Sequence, residues 1–270
     1  MKGYIIDIEF TWGFQCKIIG LSKTSPSFFY PPPTTFLGAL AESIARDNTL
    51  GEEKGKKLIP ALSKKLMAIG VRPLNAIPIK HEDLNRIITI KVTGGKLYPR
   101  PDDLARSFDS PARGKTIFSS IDGEAPKLRF FLVLHDNILK TDKGDLEITG
   151  DYFWNIHRLG SKESLVSTIN VEELDNLKII SNSRIITNYS FPMFKEVKSL
   201  QQKQVRWNAE IYINPFKIEK YRPLEYISGF NLIPFRIPIL VTNPPEYIIE
   251  IEKNVLAFKY GKEVVVGCSI

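Results

Sequence analysis

Three consecutive prolines, Pro31 to Pro33, run straight into an apolar-striped segment, and nothing else in the chain restricts its fold as much. The stretch from Phe28 to Ala45 reads FFYPPPTTFLGALAESIA. Prolines fix φ and hold the chain in a stiff, extended path. Thr34 or Thr35 then stands where an N-cap is wanted, its hydroxyl accepting from an orphan N–H of the first turn. Phe36, Leu37, Leu40, Ala41, Ile44 and Ala45 make one apolar stripe at helical spacing. Gly38 falls in the first turns, where glycine costs about 1 kcal/mol of helix propensity. A glycine there implies that another backbone or a ligand comes close. A helix start with free N–H groups and hydroxyls on a rigid lead-in suits a phosphate. The simpler reading of the same residues is a proline-stopped loop feeding a core helix.

Around this stretch the residues alternate between strands and loops. Tyr4, Ile6, Ile8 and Phe10 face one way and Ile5, Asp7 and Glu9 the other, which predicts a half-buried strand. The loop from Trp12 to Tyr30 carries Lys17 and Lys23. Leu58 to Ile69 reads as a second helix with Pro60 in its first turn. Val71 to Lys80 and Arg86 to Val92 are strand-like, ending at the break Gly94-Gly95. Periodicity then lapses from Lys96 to Lys127. This stretch interleaves Lys96, Arg100, Arg106, Arg113 and Lys115 with Tyr98, Phe108 and Phe118. Asp102, Asp103, Asp109, Asp122 and Glu124 partly offset its charge. A loop this long is functional or mobile. Leu128 to Leu134 is an apolar strand apart from Arg129, and Asp151 to Ile156 a short helix or turn. In HRLGSKESLVSTINVEEL, residues 157–174, Gly160 sits between Arg158 and the polar Ser161, Lys162 and Ser164, and Leu165 to Val171 reads as a strand. The last third is β-rich. Apolar content drops near residues 135–150, which places a boundary there, between segments 1–140 and 141–270.

Composition excludes several classes of function. No apolar run reaches the ~18 residues a membrane span needs, and the alternating N-terminus is no signal peptide, so a cytoplasmic location is expected. Cys16 and Cys268 make neither a metal-ligand spacing nor a disulfide framework. Phosphate-loop, zinc-protease and nucleophile-elbow motifs are missing. No two of His81, His135 and His157 have metal-ligand spacing, and no cofactor is expected. A net charge of +7 favours a polyanionic partner. His157, beside Arg158 and Lys162, is the one candidate acid or base for RNA cleavage. A plain hydrogen-bonded surface histidine is the simpler reading.

Three features together point to one family: a first strand running into WGF at residues 12–14, the stretch FFYPPPTTFLGALAESIA, and HRLGSKESLVSTINVEE. The combination resembles the Cas-five family of CRISPR-associated RAMP proteins, most closely the archaeal type I-A form. A glycine-rich C-terminal loop common in RAMP proteins is reduced here to Gly261 and Gly267. The resemblance implies an α+β fold, with a ferredoxin-like (RRM-type) N-terminal domain and a β-rich C-terminal part. It implies a β-hairpin thumb, which makes residues 96–127 a thumb-like arm. It further implies a subunit of the Cascade surveillance complex in antiviral defence, holding the five-prime handle of CRISPR RNA and abutting the Cas-seven backbone subunit. Contact with target DNA through the assembled complex is left open. The motif positions carried over are Pro33, Thr34, Thr35 and Gly38, with Arg158, Gly160, Ser161 and Lys162. Lys23, Arg100, Arg106, Arg113 and Lys115 complete the expected RNA contacts. One branch of the family cleaves precursor RNA; with a lone histidine and no partner base, this chain is expected to bind without catalysis.

Overall fold

In the computed structural model the structure describes residues 1–16, 26–84, 87–88, 90–109, 112–141, 144–200, 207–219, 228–239 and 245–268, and the side chains of 83, 84, 87, 109, 112 and 113 are not described. The first half runs β1 (Lys2–Phe10), β2 (Gly13–Phe14), α1 (Pro33–Asp47), α2 (Gly51–Lys65), β3 (Leu66–Pro73) and β4 (Ala76–Leu84). It continues through β5 (Ile87–Ile88), β6 (Lys91–Thr93), β7 (Lys96–Tyr98), α3 (Leu104–Ser107), β8 (Phe108–Asp109), β9 (Ala112–Ser120) and β10 (Lys127–Leu134). Next come β11 (Ile138–Thr141), β12 (Gly144–Glu147), α4 (Gly150–Trp154), β13 (Val166–Leu174), β14 (Lys178–Ile180) and β15 (Ser183–Thr187). The chain ends with β16 (Phe191–Pro192), β17 (Val197–Ser199), β18 (Trp207–Ile213), β19 (Leu232–Pro238), β20 (Tyr247–Ile251), β21 (Val255–Tyr260) and β22 (Glu263–Cys268). With 18% helix and 50% strand, this is an α+β protein with a curled sheet.

Its centre is a seven-stranded antiparallel sheet in the order β13-β1-β10-β3-β22-β21-β14, which draws strands from both sides of residue 140. One face packs Tyr4, Ile6, Ile8, Phe130 and Leu132 against Phe36, Leu37, Leu40 and Ile44 of α1. Phe36 stacks on Phe130 at 4.5 Å. The other face buries Ile5, Phe131, Val133, Tyr189, Phe258 and Val265. The expected half-buried first strand is therefore buried on both faces. Its one interior charge, Asp7, is matched by a bidentate Arg129 at 2.6 and 2.8 Å. Arg129 and Arg72 both donate to Glu263, at 2.8 and 2.7 Å, so a charged row crosses four strands.

Two predicted elements shift. The second helix ends at Lys65, with Pro60 in its interior rather than its first turn. Glu52 and Glu53 at its start and Lys64 and Lys65 at its end suit the helix dipole. Leu66 to Ile69, read as helix from apolar content, begins β3, because both of its faces are covered. The stretch read as aperiodic contains the nine-residue strand β9, laddered onto β4 from Ala76↔Ser120 to Leu84↔Ala112. Among its described side chains the buried ones are Gly114, Thr116 and Phe118, so small and polar residues hide the alternation. The arm thus starts at Ala76, well before Lys96, and carries β5 to β8 and α3 at its far end.

Candidate nucleic-acid interface

The site grows from residues 11–16, which leave β1 and run between two other pieces of chain. On one side β2 pairs with β9, and Gly13 takes φ +141 with a notional Cβ 2.0 Å from the Thr116 carbonyl. Only glycine permits that approach. On the other side residues 158–165 fold into a turn closed by the bridge Arg158↔Leu165 and by Leu159 N–H donating to the Ser164 carbonyl at 3.0 Å. That turn is stitched to the first segment. Ser161 N–H donates to the Gln15 carbonyl at 2.9 Å, and Gln15 N–H to Ser164 Oγ at 2.9 Å. Trp12 Nε1 donates to the Glu163 carbonyl at 2.8 Å. Gly160 sits at φ +115, where a Cβ would stand 2.6 Å from the Gln15 carbonyl oxygen. The glycine of the LGSKES motif is there for both reasons.

The first turn of α1 closes the third side. Thr35 meets Cys16 Sγ through its hydroxyl at 3.3 Å. Burial pushes the Cys16 thiol up, so it stays uncharged. Gln15, Cys16, Thr35, Gly160, Ser161, Lys162 and Glu163 line one open cleft of about 490 Å³. The two motifs, more than a hundred residues apart in sequence, meet there.

Two expectations for this helix start are corrected. Neither threonine caps the helix: the N-cap is Pro32, without a side-chain cap bond, and its carbonyl accepts from Thr35 N and Phe36 N at 2.9 and 3.2 Å. No close approach exists at Gly38, where a Cβ would meet nothing within 4 Å. Gly38 faces a separate groove between α1 and α2 with Ala41, Ala45 and Gly55. Pro33 is buried, and Thr34 and Arg158 are partly buried beside the cleft's elements without lining it.

The arm places its basic residues differently. Arg100 is clamped on Asp102 at 2.9 and 2.6 Å, and this bond holds the Asp102 carboxyl below the usual range. Arg106 lies 3.7 Å from Asp103, which caps α3 by accepting from Arg106 N. Arg100 and Arg106 therefore begin with acidic partners; they lie in the turn and helix of the tip. Lys115 is half-buried on β9 opposite His81. Arg113 pairs with Asp83 in the ladder, its side chain outside the described residues, as is all of Lys23. The tip instead exposes apolar side chains: Ile88, Ile90, Val92, Leu97, Leu104 and Phe108.

Two residues escaped the sequence reading. Gln15 sits in a loop without periodicity. Glu210, at 7% exposure, accepts from Phe29 N, Lys80 Nζ at 2.8 Å and Tyr212 OH at 2.7 Å. Burial raises its pKa while Lys80 opposes. In β18, Glu210 points in and Ile211 out, the reverse of ordinary patterning. Lys80 also lies 3.7 Å from the Phe29 ring centroid, so Glu210 ties the arm's base to the proline lead-in. His157 is half exposed and does not line the cleft. Its Nδ1 accepts from Arg46 at 2.9 Å, because a guanidinium can only donate.

Comparison with known proteins gives a consistent class: this is a CRISPR-associated protein. No family model matches the chain. It is similar to CRISPR-associated protein Cas5 2 of Saccharolobus solfataricus, 27% identical over 71% of this chain and 68% of the relative. It is also similar to Cas5 3 of the same organism, 30% identical over 68% and 69% of the respective chains. Over the full length of both chains it matches a crystal structure of a CRISPR protein from Archaeoglobus fulgidus, with a TM-score of 0.72 and 42% identity. The chain belongs to the CRISPR-associated Cas5 (Cas-five) family.

Proposed function

We propose that this chain is a non-catalytic, RNA-binding subunit of a type I Cascade complex that holds the five-prime handle of CRISPR RNA beside the Cas-seven backbone. One observation carries the reading: the PPPTT helix start and the LGSKES turn converge on a single open cleft. Hydroxyls and a lysine there suit phosphate contacts, which position RNA without reading its sequence. The first, third, tenth and thirteenth strands support a ferredoxin-like core. Their order is fourth-first-third-second by chain position, with α1 and α2 in one crossover and α4 in the other. The arm serves the same assembly, its exposed apolar tip meeting the neighbouring subunit and its basic residues the RNA alongside.

The test is titration of the purified chain, alone and with its Cas-seven neighbour, with CRISPR repeat RNA in EDTA. Binding without cleavage is expected, with log K falling against log salt by ~0.7 per phosphate contacted. A site-specific cut abolished by His157→Ala would overturn the non-catalytic reading.

A further inference from the structure

We infer that the outer face of β18 and β19 docks a protein segment that presents an aspartate or glutamate carboxylate among apolar side chains. The inference rests on the assembly part of the proposed function and not on RNA contact. Side chains alternate along a strand. In β18, Glu210 and Tyr212 are buried, Glu210 against Phe29 and Lys80, so Ala209, Ile211 and Ile213 point the other way. Directly opposite residues of an antiparallel ladder share a face. The pairs Ala209↔Arg236, Ile211↔Pro234 and Ile213↔Leu232 therefore place the outer residues of both strands on one surface. Ile211 is 51% exposed, Ala209 and Pro234 are exposed, and Ile213 and Leu232 are half-buried. Phe230, in the turn before β19, is 72% exposed. Lone apolar residues on a surface are ordinary, but a contiguous set on adjoining strands marks an interaction surface.

Arg236 decides what covers this face. It is partly exposed at one end of the apolar set, between buried Phe191 on one neighbouring strand and exposed Ala209 on the other. Among the described residues Arg236 has neither an ion pair nor a side-chain hydrogen bond, and its Nε is buried without an acceptor. A charge withdrawn from water is ordinarily paired. The small Ala209 leaves room beside the guanidinium for an incoming side chain, and a carboxylate matches its planar fork. A phosphate would match it too, but nucleic-acid interfaces are strongly positive, and every other residue of this ladder face is uncharged. Apolar surface around one arginine is the make-up of a protein interface. Strand β18 then has both sides covered in the assembly, by Phe29 and Lys80 of its own chain on one and by the partner on the other.

The experiment compares carbene labelling of the free chain and of the complex assembled with its partner subunits. Labelling of Ile211, Phe230 and Leu232 should fall several-fold on assembly, and this footprint needs no substitution. A photo-crosslinking benzoylphenylalanine at position 211 of the same complex then identifies the partner by mass spectrometry. The joined peptide should carry an aspartate or glutamate between apolar residues. Arg236→Met, which removes the charge and keeps an apolar stem, should lower the crosslink yield about tenfold. Arg236→Glu should abolish it, and changing the partner's carboxylate residue to arginine should restore it. Equal labelling of the face in free chain and complex, a crosslink to RNA, or a yield that Arg236→Met leaves unchanged would overturn the inference. RNA binding by the Arg236→Met assembly should equal that of wild type, because none of these residues lines the cleft; a loss would put RNA on this face and overturn the inference too. If the wild-type assembly binds no repeat RNA, the RNA-binding reading falls, while the footprint and crosslink still decide the docking face.

Discussion

The cleft and the arm are both rich in polar residues, but they are built on opposite plans. The cleft is held by backbone hydrogen bonds, by two glycines in φ regions closed to other residues, and by a helix packed on the central sheet. Its donors are in place before any ligand arrives. The arm is a two-stranded ladder whose tip arginines are matched by neighbouring aspartates and whose apolar side chains face solvent. For Arg100 to grip a phosphate it must first give up Asp102, so its net gain is smaller than its charge suggests. Preorganisation belongs to the cleft, and adaptability to the arm. Counting basic residues along the sequence does not distinguish them.

That contrast can be broken most severely at Gly160. Gly160→Val puts a β-branched residue at φ +115 and a Cβ 2.6 Å from a carbonyl oxygen. The cost is expected to be ~3 kcal/mol in urea unfolding, with RNA binding lost. Wild-type stability would show that the turn is not preorganised. Glu210→Ala comes next and acts on the arm's base. It leaves Phe29 N and the Tyr212 hydroxyl without their acceptor and Lys80 without its partner. With Lys80 a third exposed, the expected loss is ~2 kcal/mol. Faster hydrogen exchange along β4 should accompany it.

Gly38→Ala acts in the opposite direction. Since a Cβ there meets nothing within 4 Å, the helix should gain ~0.5–1 kcal/mol, with RNA affinity unchanged. A loss of affinity would return Gly38 to the site. The smallest effect belongs to Asp136, in neither region. Its hydrogen bond from Lys65, at 2.5 Å, holds its carboxyl at about 2. Its folded pKa lies below the unfolded value, so its contribution is complete above about pH 4 and fades as pH falls towards 2. Because both side chains are partly exposed, Asp136→Asn should flatten acid unfolding by only a few tenths of a kcal/mol.

Much of the core was legible because its signals are local. The alternation of β1, the stripe of α1 and the apolar run of β10 each identified its element. The α2–β3 boundary was not legible, since Leu66 to Ile69 is equally apolar as helix or strand and only two-sided burial decides. Strand β9 was hidden because Gly114 and Thr116 occupy buried positions. Phe118 alone carries the aromatic packing there, against Phe10 at 4.9 Å and Phe14 at 5.7 Å. The threonine cap failed because the Pro32 carbonyl already accepts from the N–H groups of Thr35 and Phe36. At the site, the motifs gave Thr35, Gly160, Ser161 and Lys162. Gln15 has no periodic neighbour to reveal it, and Glu210 reverses the usual inside–outside pattern; both emerge only from long-range contacts.

On the proposed function, the cleft holds RNA and the arm tip waits for a protein neighbour. Hydrogen exchange tests it directly, on the chain alone, with repeat RNA, and with RNA plus the Cas-seven subunit. RNA alone should protect the amides of residues 12–16 and 160–165, leaving the tip at residues 88–108 fast until the neighbouring subunit is added. Protection by RNA confined to the arm, with residues 12–16 and 160–165 unchanged, would place the RNA on the arm and not in the cleft.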